Sequence, residues 1–136
     1  MICGGDTNQQ VKVNGELVEQ VATFNFLGSI IDNAGGSSQE IRRRLVMVRS
    51  SAIALTDIWK DRGISKATKI HIMDALVFPI ALYGCETWAV GMTDKKKILA
   101  LEMWCWRKML RMSWKEHKTN EFVRNQFGEH ASYAKK

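Results

Sequence analysis

Residues 37–63, SSQEIRRRLVMVRSSAIALTDIWKDRG, decide the fold of this chain, because here the apolar period changes from that of a strand to that of a helix. Ile41, Leu45, Val48, Ala52, Leu55 and Trp59 recur at alternating steps of four and three, which lays one apolar stripe along a helix. Ser37 with Glu40 three residues on has the pattern of a capping box, and Gly63 is expected to close the helix as the residue after its cap. Arg42, Arg43, Arg44 and Arg49 fall off the stripe, so the helix is expected to be basic outside and apolar inside.

Upstream the pattern is that of strands. Val11-Lys12-Val13 and Glu16-Leu17-Val18 flank Asn14-Gly15, a strong signal for a two-residue hairpin turn. A second β run, Thr23 to Ile31, ends at the turn formers of 32–36, so two or three short antiparallel strands are expected. Downstream, Ser65 is a candidate N-cap for a helix that aligns Ile70, Met73, Val77 and Ile80. Pro79 should kink that helix, and its apolar second half should be central to the core. Thr93-Asp94 opens a third helix with Ile98, Leu101, Cys105, Met109 and Met112 inward. Lys97, Trp104, Lys108 and Arg111 fall on another of its faces, with Arg107 at the margin, which sets an aromatic ring among cations. A short helix from Thr119 or Asn120 to Phe127, stopped by Gly128, completes an α+β, mainly α fold. It comprises a hairpin region over 1–36, a three-to-four-helix bundle over 37–128 and a tail over 129–136.

Composition narrows the function. The 136 residues, 46% hydrophobic and 25% charged, are those of one folded domain. A net charge of +6 favours an anionic partner such as nucleic acid or a membrane surface. Residues 41–70 and 95–118 each carry eight cations against two acids, whereas residues 1–36 sum to −3, so the surplus sits in two helical segments. The longest apolar run, Ala75 to Cys85, is too short to span a bilayer, and residues 1–6 do not read as a secretory signal. An intracellular place, nucleus or cytoplasm, is expected.

Cys3, Cys85 and Cys105 lie far apart without a CxxC pair or a His at ligand spacing, so reduced thiols are expected, the latter two buried, with neither disulfide nor zinc. No adjacent Asp pair is present to hold two magnesium ions, His71, His117 and His130 are scattered, and Gly4-Gly5 and Gly35-Gly36 open no phosphate-binding loop. The residues therefore indicate no catalytic set and no metal or other cofactor. Two basic helices can neutralise phosphates without reading sequence, and Trp104 can stack on a base or a sugar. The same face can instead be a solvated surface, or a docking site for a partner helix, with Trp104 in the core.

The order FNFLGSII (24–31), EIRRRLVMVRSSAIAL (40–55), ISKATKIHIMDAL (64–76), LYGCETWAV (82–90) and LEMWCWRKMLRMSWKEHKTNEFV (101–123) resembles the stretch after the polymerase motif in endonuclease-reverse transcriptases of non-LTR, LINE-type retrotransposons. YGCETW followed by LEMWCWRKMLRMSW carries most of the likeness, which covers about residues 11 to 128. The resemblance implies a primer grip at Phe26, Leu27 and Gly28, a basic start of a thumb at Arg42 to Arg44, and helices that hold a primer–template duplex. It also implies that the catalytic Asp-Asp strand with its Mg2+, the fingers and the endonuclease belong to an upstream reverse transcriptase region. This chain is then related to RNA-directed DNA polymerase but inactive alone. The partner so implied is an RNA–DNA or DNA duplex held non-specifically, by Arg42, Arg43 and Arg44 on the resemblance and by Arg49, Lys97, Trp104, Arg107, Lys108 and Arg111 on the charge layout read above. A protein-interaction module and a relic without function are the alternatives.

Overall fold

The computed structural model describes residues 10–33 and 35–127, so the expectations for Cys3, Gly4-Gly5, Gly128, His130 and the tail lie outside the described residues. The order is two β-hairpins followed by helices, an α+β, mainly α architecture. Strands β1 (Lys12–Val13) and β2 (Glu16–Leu17) pair antiparallel, Lys12 opposite Leu17, around Asn14 (φ 52°) and Gly15 (φ 88°). Both turn residues are left-handed, which matches the twist of the strands they join.

The second hairpin departs from expectation. The run Thr23 to Ile31 is not one strand: it folds back at Leu27 (φ 48°) and Gly28 (φ 76°) into β3 (Thr23–Phe26) and β4 (Ser29–Asp32), with Phe26 opposite Ser29. Among the described residues, four strands in two separate two-stranded sheets thus replace the two or three expected. Glycine adopts this conformation freely, but leucine does so at a cost of roughly 1–2 kcal/mol, which contacts from elsewhere in the chain must offset.

Helix α1 (Ser38–Ala54) buries Ile41, Val48 and Ala52. The stripe continues through half-buried Leu55 to Trp59 in α2 (Thr56–Lys60). The helix is interrupted at Leu55 because side chains take two of its carbonyls: Trp59 Nε1 donates to Ala52 O (2.8 Å) and Thr56 Oγ1 to Ile53 O (2.5 Å). Gly63 therefore does not cap it. The turn is made instead by Asp61, whose carboxylate accepts from the Gly63 N–H (2.7 Å). The capping box is also absent: Ser37 makes no cap bond and its hydroxyl accepts from the Ala89 N–H (3.2 Å), while Glu40 is engaged elsewhere.

Ser65 does cap α3 (Lys66–Ile72), accepting from the Thr68 N–H at 3.1 Å. A π turn (Met73–Val77) then leads into α4 (Phe78–Leu82). Pro79 cannot donate to Ala75 O and would crowd it, and the wider turn absorbs the conflict in place of a simple kink. Only one side of this segment is core, since Met73, Val77 and Phe78 are buried while Ala75, Leu76, Pro79 and Leu82 face out.

Helix α5 (Met92–Met109) supplies Leu101, Met103, Cys105, Trp106 and Met109 to the core. The Trp106 ring stacks on Phe127 (4.3 Å between centroids) and tilts against Phe78 (5.1 Å). Thr119 caps α6 (Asn120–Asn125) through the Phe122 N–H (3.2 Å), and Val123 beyond it is buried. Cys85 is half-buried, not buried as expected; Cys105 is fully buried, and burial pushes its thiol up to about 12.

At the end of α5, Met112 N–H reaches Arg107 O (3.0 Å) and Arg111 N–H reaches Lys108 O (3.2 Å), a Schellman cap with Arg111 left-handed at φ 57°. Arg111 is consequently a cap residue past the helix, not a member of its face. Arg111→Gly relieves that conformation and should raise stability by about 1 kcal/mol in urea denaturation. Trp106→Ala should lower it by roughly 3–5 kcal/mol in the same measurement, through the cavity left between Phe78 and Phe127.

Candidate nucleic-acid interface

The charged residues of α1 divide into two groups with different work. Glu40, 2% exposed, accepts from Arg43 Nε (2.8 Å to Oε2), Arg43 Nη2 (2.9 Å to Oε1), Arg44 Nε (2.7 Å to Oε1), the Ile30 N–H (3.0 Å) and Ser29 Oγ (3.3 Å). Arg43 and Arg44 both donate onward to Gly28 O, Arg44 at 2.7 Å. Tyr83 OH donates to Leu27 O (2.8 Å), and the Arg44 guanidinium lies 4.6 Å over the Tyr83 ring. These bonds fix the left-handed turn of the second hairpin to the start of α1. Burial opposes ionisation of Glu40, but the hydrogen bonds from Arg43, Arg44 and Ile30 outweigh it and hold the carboxyl at about 2. The same pairing raises the Arg43 guanidinium.

This clamp corrects the expectation of an outward Arg42–Arg44 run. Arg44 is buried and Arg43 is committed to Glu40 and Gly28 O. Phe26, Leu27 and Gly28 do share a site with Tyr83: Phe26 and Leu27 line a hollow of about 750 Å³ beside it, with Leu27 75% exposed. The FLG motif is a hairpin tip held by side-chain donors, not a strand interior.

The second group opens onto a groove of about 1020 Å³ between α1 and α5, closed at one end by residues 117–120. Ser38 Oγ donates to Asp94 Oδ2 (2.5 Å), and farther along the Arg49 guanidinium lies over the Trp104 ring (5.0 Å to its centroid). The two helices thus run in the same direction. Arg42, Arg49, Lys97, Arg107 and Lys118 line the groove with His117, and no Asp or Glu is among its described lining residues. Its floor is Leu45, Val46, Ala100, Leu101, Met103 and Trp104.

Lys97 is paired with Asp94 (2.8 Å), and its hydrogen bond, with that of Ser38, holds the Asp94 carboxyl below its usual range. Arg107 donates to Lys118 O (2.9 Å) and Asn120 Oδ1 (2.8 Å), which fixes the closing loop, and Lys118 lies over the Phe122 ring (4.9 Å). The groove therefore presents fixed cations over an apolar floor, an arrangement that can hold phosphates and cover apolar surface at once.

Of the residues expected to bind nucleic acid, the structure brings Arg42, Arg49, Lys97, Trp104 and Arg107 together. Lys108 lies outside the groove, and Arg111 lines a smaller hollow with Arg62, Lys66 and Lys69. Trp104 is half-buried and packs against the core, with Arg49 over its ring. Sequence reasoning missed His117, Lys118, Thr119 and Asn120, which a loop folds back onto α5. It also missed Val46 and Ala100, whose spacing of four from Arg42 and three from Lys97 places them on the same faces. Among the described residues no group of three His, Cys, Asp or Glu could hold a metal ion, and no helix is long and apolar enough to cross a membrane.

No protein-family model, curated protein or solved structure matches the chain. The groove and the clamp are therefore interpreted on their own geometry.

The clamp gives a pH prediction with a definite sign. Glu40 titrates at about 2 instead of the ordinary 4.5, so its contribution is complete above about 4.5 and is lost as pH falls through about 2. Glu40→Gln should cost on the order of 3 kcal/mol at neutral pH, since it leaves two arginines facing a neutral partner. Acid titrations followed by circular dichroism should show the wild-type and variant stabilities converging between about pH 4.5 and pH 2.

Proposed function

We propose that this chain is a non-catalytic nucleic-acid-holding module. In this reading it is the primer-grip and thumb part of a LINE-type reverse transcriptase and holds an RNA–DNA or DNA duplex without reading its sequence. One observation carries the proposal: five cations from α1, α5 and the closing loop face one groove with no carboxylate among its described lining residues. Such a surface is attracted to any phosphate backbone and releases counterions on contact. Phosphate contacts position a strand and carry no sequence information, which suits a holder that must accept every sequence. The Glu40 clamp supports the same reading by holding an exposed apolar hairpin tip in a fixed place at the start of the basic helix. The polymerase chemistry and its Mg2+ would belong to a palm upstream.

The test is a salt titration. With about four cations not paired to a carboxylate, log K for a mixed-sequence duplex should fall with log salt at a slope of roughly −3 to −4. Arg42→Ala combined with Arg49→Ala should lower the slope by about 2, because each removes about one phosphate contact. Substituting Arg43 or Arg44 would disturb the hairpin clamp and confound the measurement. Binding that does not weaken as salt rises overturns the reading.

A further inference from the structure

The groove offers more than charge. A paired duplex turns sugars and phosphates outward and keeps its bases stacked, so it would engage the cationic rims and leave the apolar floor facing water. That floor is substantial, and Val46 on it is 65% exposed. Unpaired nucleotides bring both chemistries, phosphates for the rims and apolar base faces for the floor.

Arg49 makes the case specific. Trp104 packs on the core, and the Arg49 guanidinium lies over its ring at 5.0 Å. The indole face that might have received a base is therefore already covered. A guanidinium is planar, however, and stacks through either side. Arg49 is exposed and lines the groove, so the side of the guanidinium turned away from Trp104 is open to a ligand. The tryptophan restricts the arginine's rotamers in advance, and less freedom is lost when a base arrives.

We propose that the groove receives an unpaired stretch of nucleic acid, one base of which stacks on the Arg49 guanidinium with Trp104 as its backing. This rests on the nucleic-acid reading above and narrows it: the rim cations attract either form, and the groove holds an unpaired flank of the duplex more tightly than its paired body. Arg42, Arg107 and Lys118 hold its phosphates, and the exposed Val46 and Ala100 cover neighbouring bases.

The experiment uses the full chain and three labelled probes read by fluorescence anisotropy at low salt. They are a single-stranded oligonucleotide of about ten residues, the same strand paired to its complement, and an abasic strand of equal length. The single strand should bind the wild type more tightly than the duplex does. Arg49→Lys keeps the charge and removes the plane, so it should weaken the single strand about 10-fold and leave the duplex within about 2-fold. The abasic strand should bind the wild type weakly, a measurement that does not depend on how the variant folds, and its binding should be insensitive to that substitution. Equal loss for single strand and duplex, or an abasic strand that binds as well as the intact one, overturns this inference and leaves the nucleic-acid reading standing. Absence of salt-sensitive binding to all three probes overturns both. So does displacement of every probe by an acidic amphipathic peptide whose binding survives high salt, which would assign the floor to a protein helix.

Discussion

A single buried carboxylate ties the two halves of this molecule together. Glu40 receives donors from β4, from the serine that starts β4 and from two arginines one turn ahead on its own helix, and those arginines pass the connection to the hairpin turn. A two-stranded hairpin is marginal in water, and β3 is exposed along its whole length. Its turn holds a leucine in a conformation that leucine avoids. The hairpin is therefore placed by side-chain donors on its backbone carbonyls more than by apolar burial. The placement is correspondingly electrostatic, which is why the ionisation of Glu40 has structural consequences.

The same economy explains why the charge on α1 is not one surface. Arg43 and Arg44 fall on the side of the helix that faces the hairpin, and Arg42 and Arg49 on the side that faces α5. Three consecutive arginines on a helix point in directions roughly 100° apart, so they cannot all serve one ligand. Three of the groove cations are positioned by neutral partners: Arg49 by an indole, Arg107 by a carbonyl and an amide oxygen, and Lys118 by a phenyl ring. Their charge therefore remains available to an anion while their geometry is fixed, the combination that makes the groove the strongest candidate site in the fold.

Much of the architecture was legible in local pattern. The Asn14-Gly15 turn, the caps at Ser65 and Thr119 and the apolar stripe from Ile41 to Trp59 are decided by neighbours within a few residues. The misplaced features turn on side-chain hydrogen bonds that apolar period and capping pattern do not display. Glu40 has the spacing of a capping box but finds stronger donors in β4 and in Arg43 and Arg44. Gly63 resembles a helix stop but lies beyond a helix already interrupted by Trp59 and Thr56. Pro79 announces a disturbance correctly, yet its form, a π turn, depends on which side chains must remain in the core.

The sequence by itself determined strands before helices, where the helices run, and that the positive charge is concentrated in two segments, because each of these follows from propensity, period and composition. Tertiary structure alone decided which cations hold the hairpin turn and which line the groove. Tyr83 meets Leu27 across 56 residues, Ser38 meets Asp94 across 56, and Arg107 anchors a loop 13 residues on. A guanidinium has the same charge whether it holds a carboxylate or faces an open groove. Glu40 meets Arg43 and Arg44 through local helical spacing, but the Gly28 carbonyl that both arginines hold comes within reach only on folding.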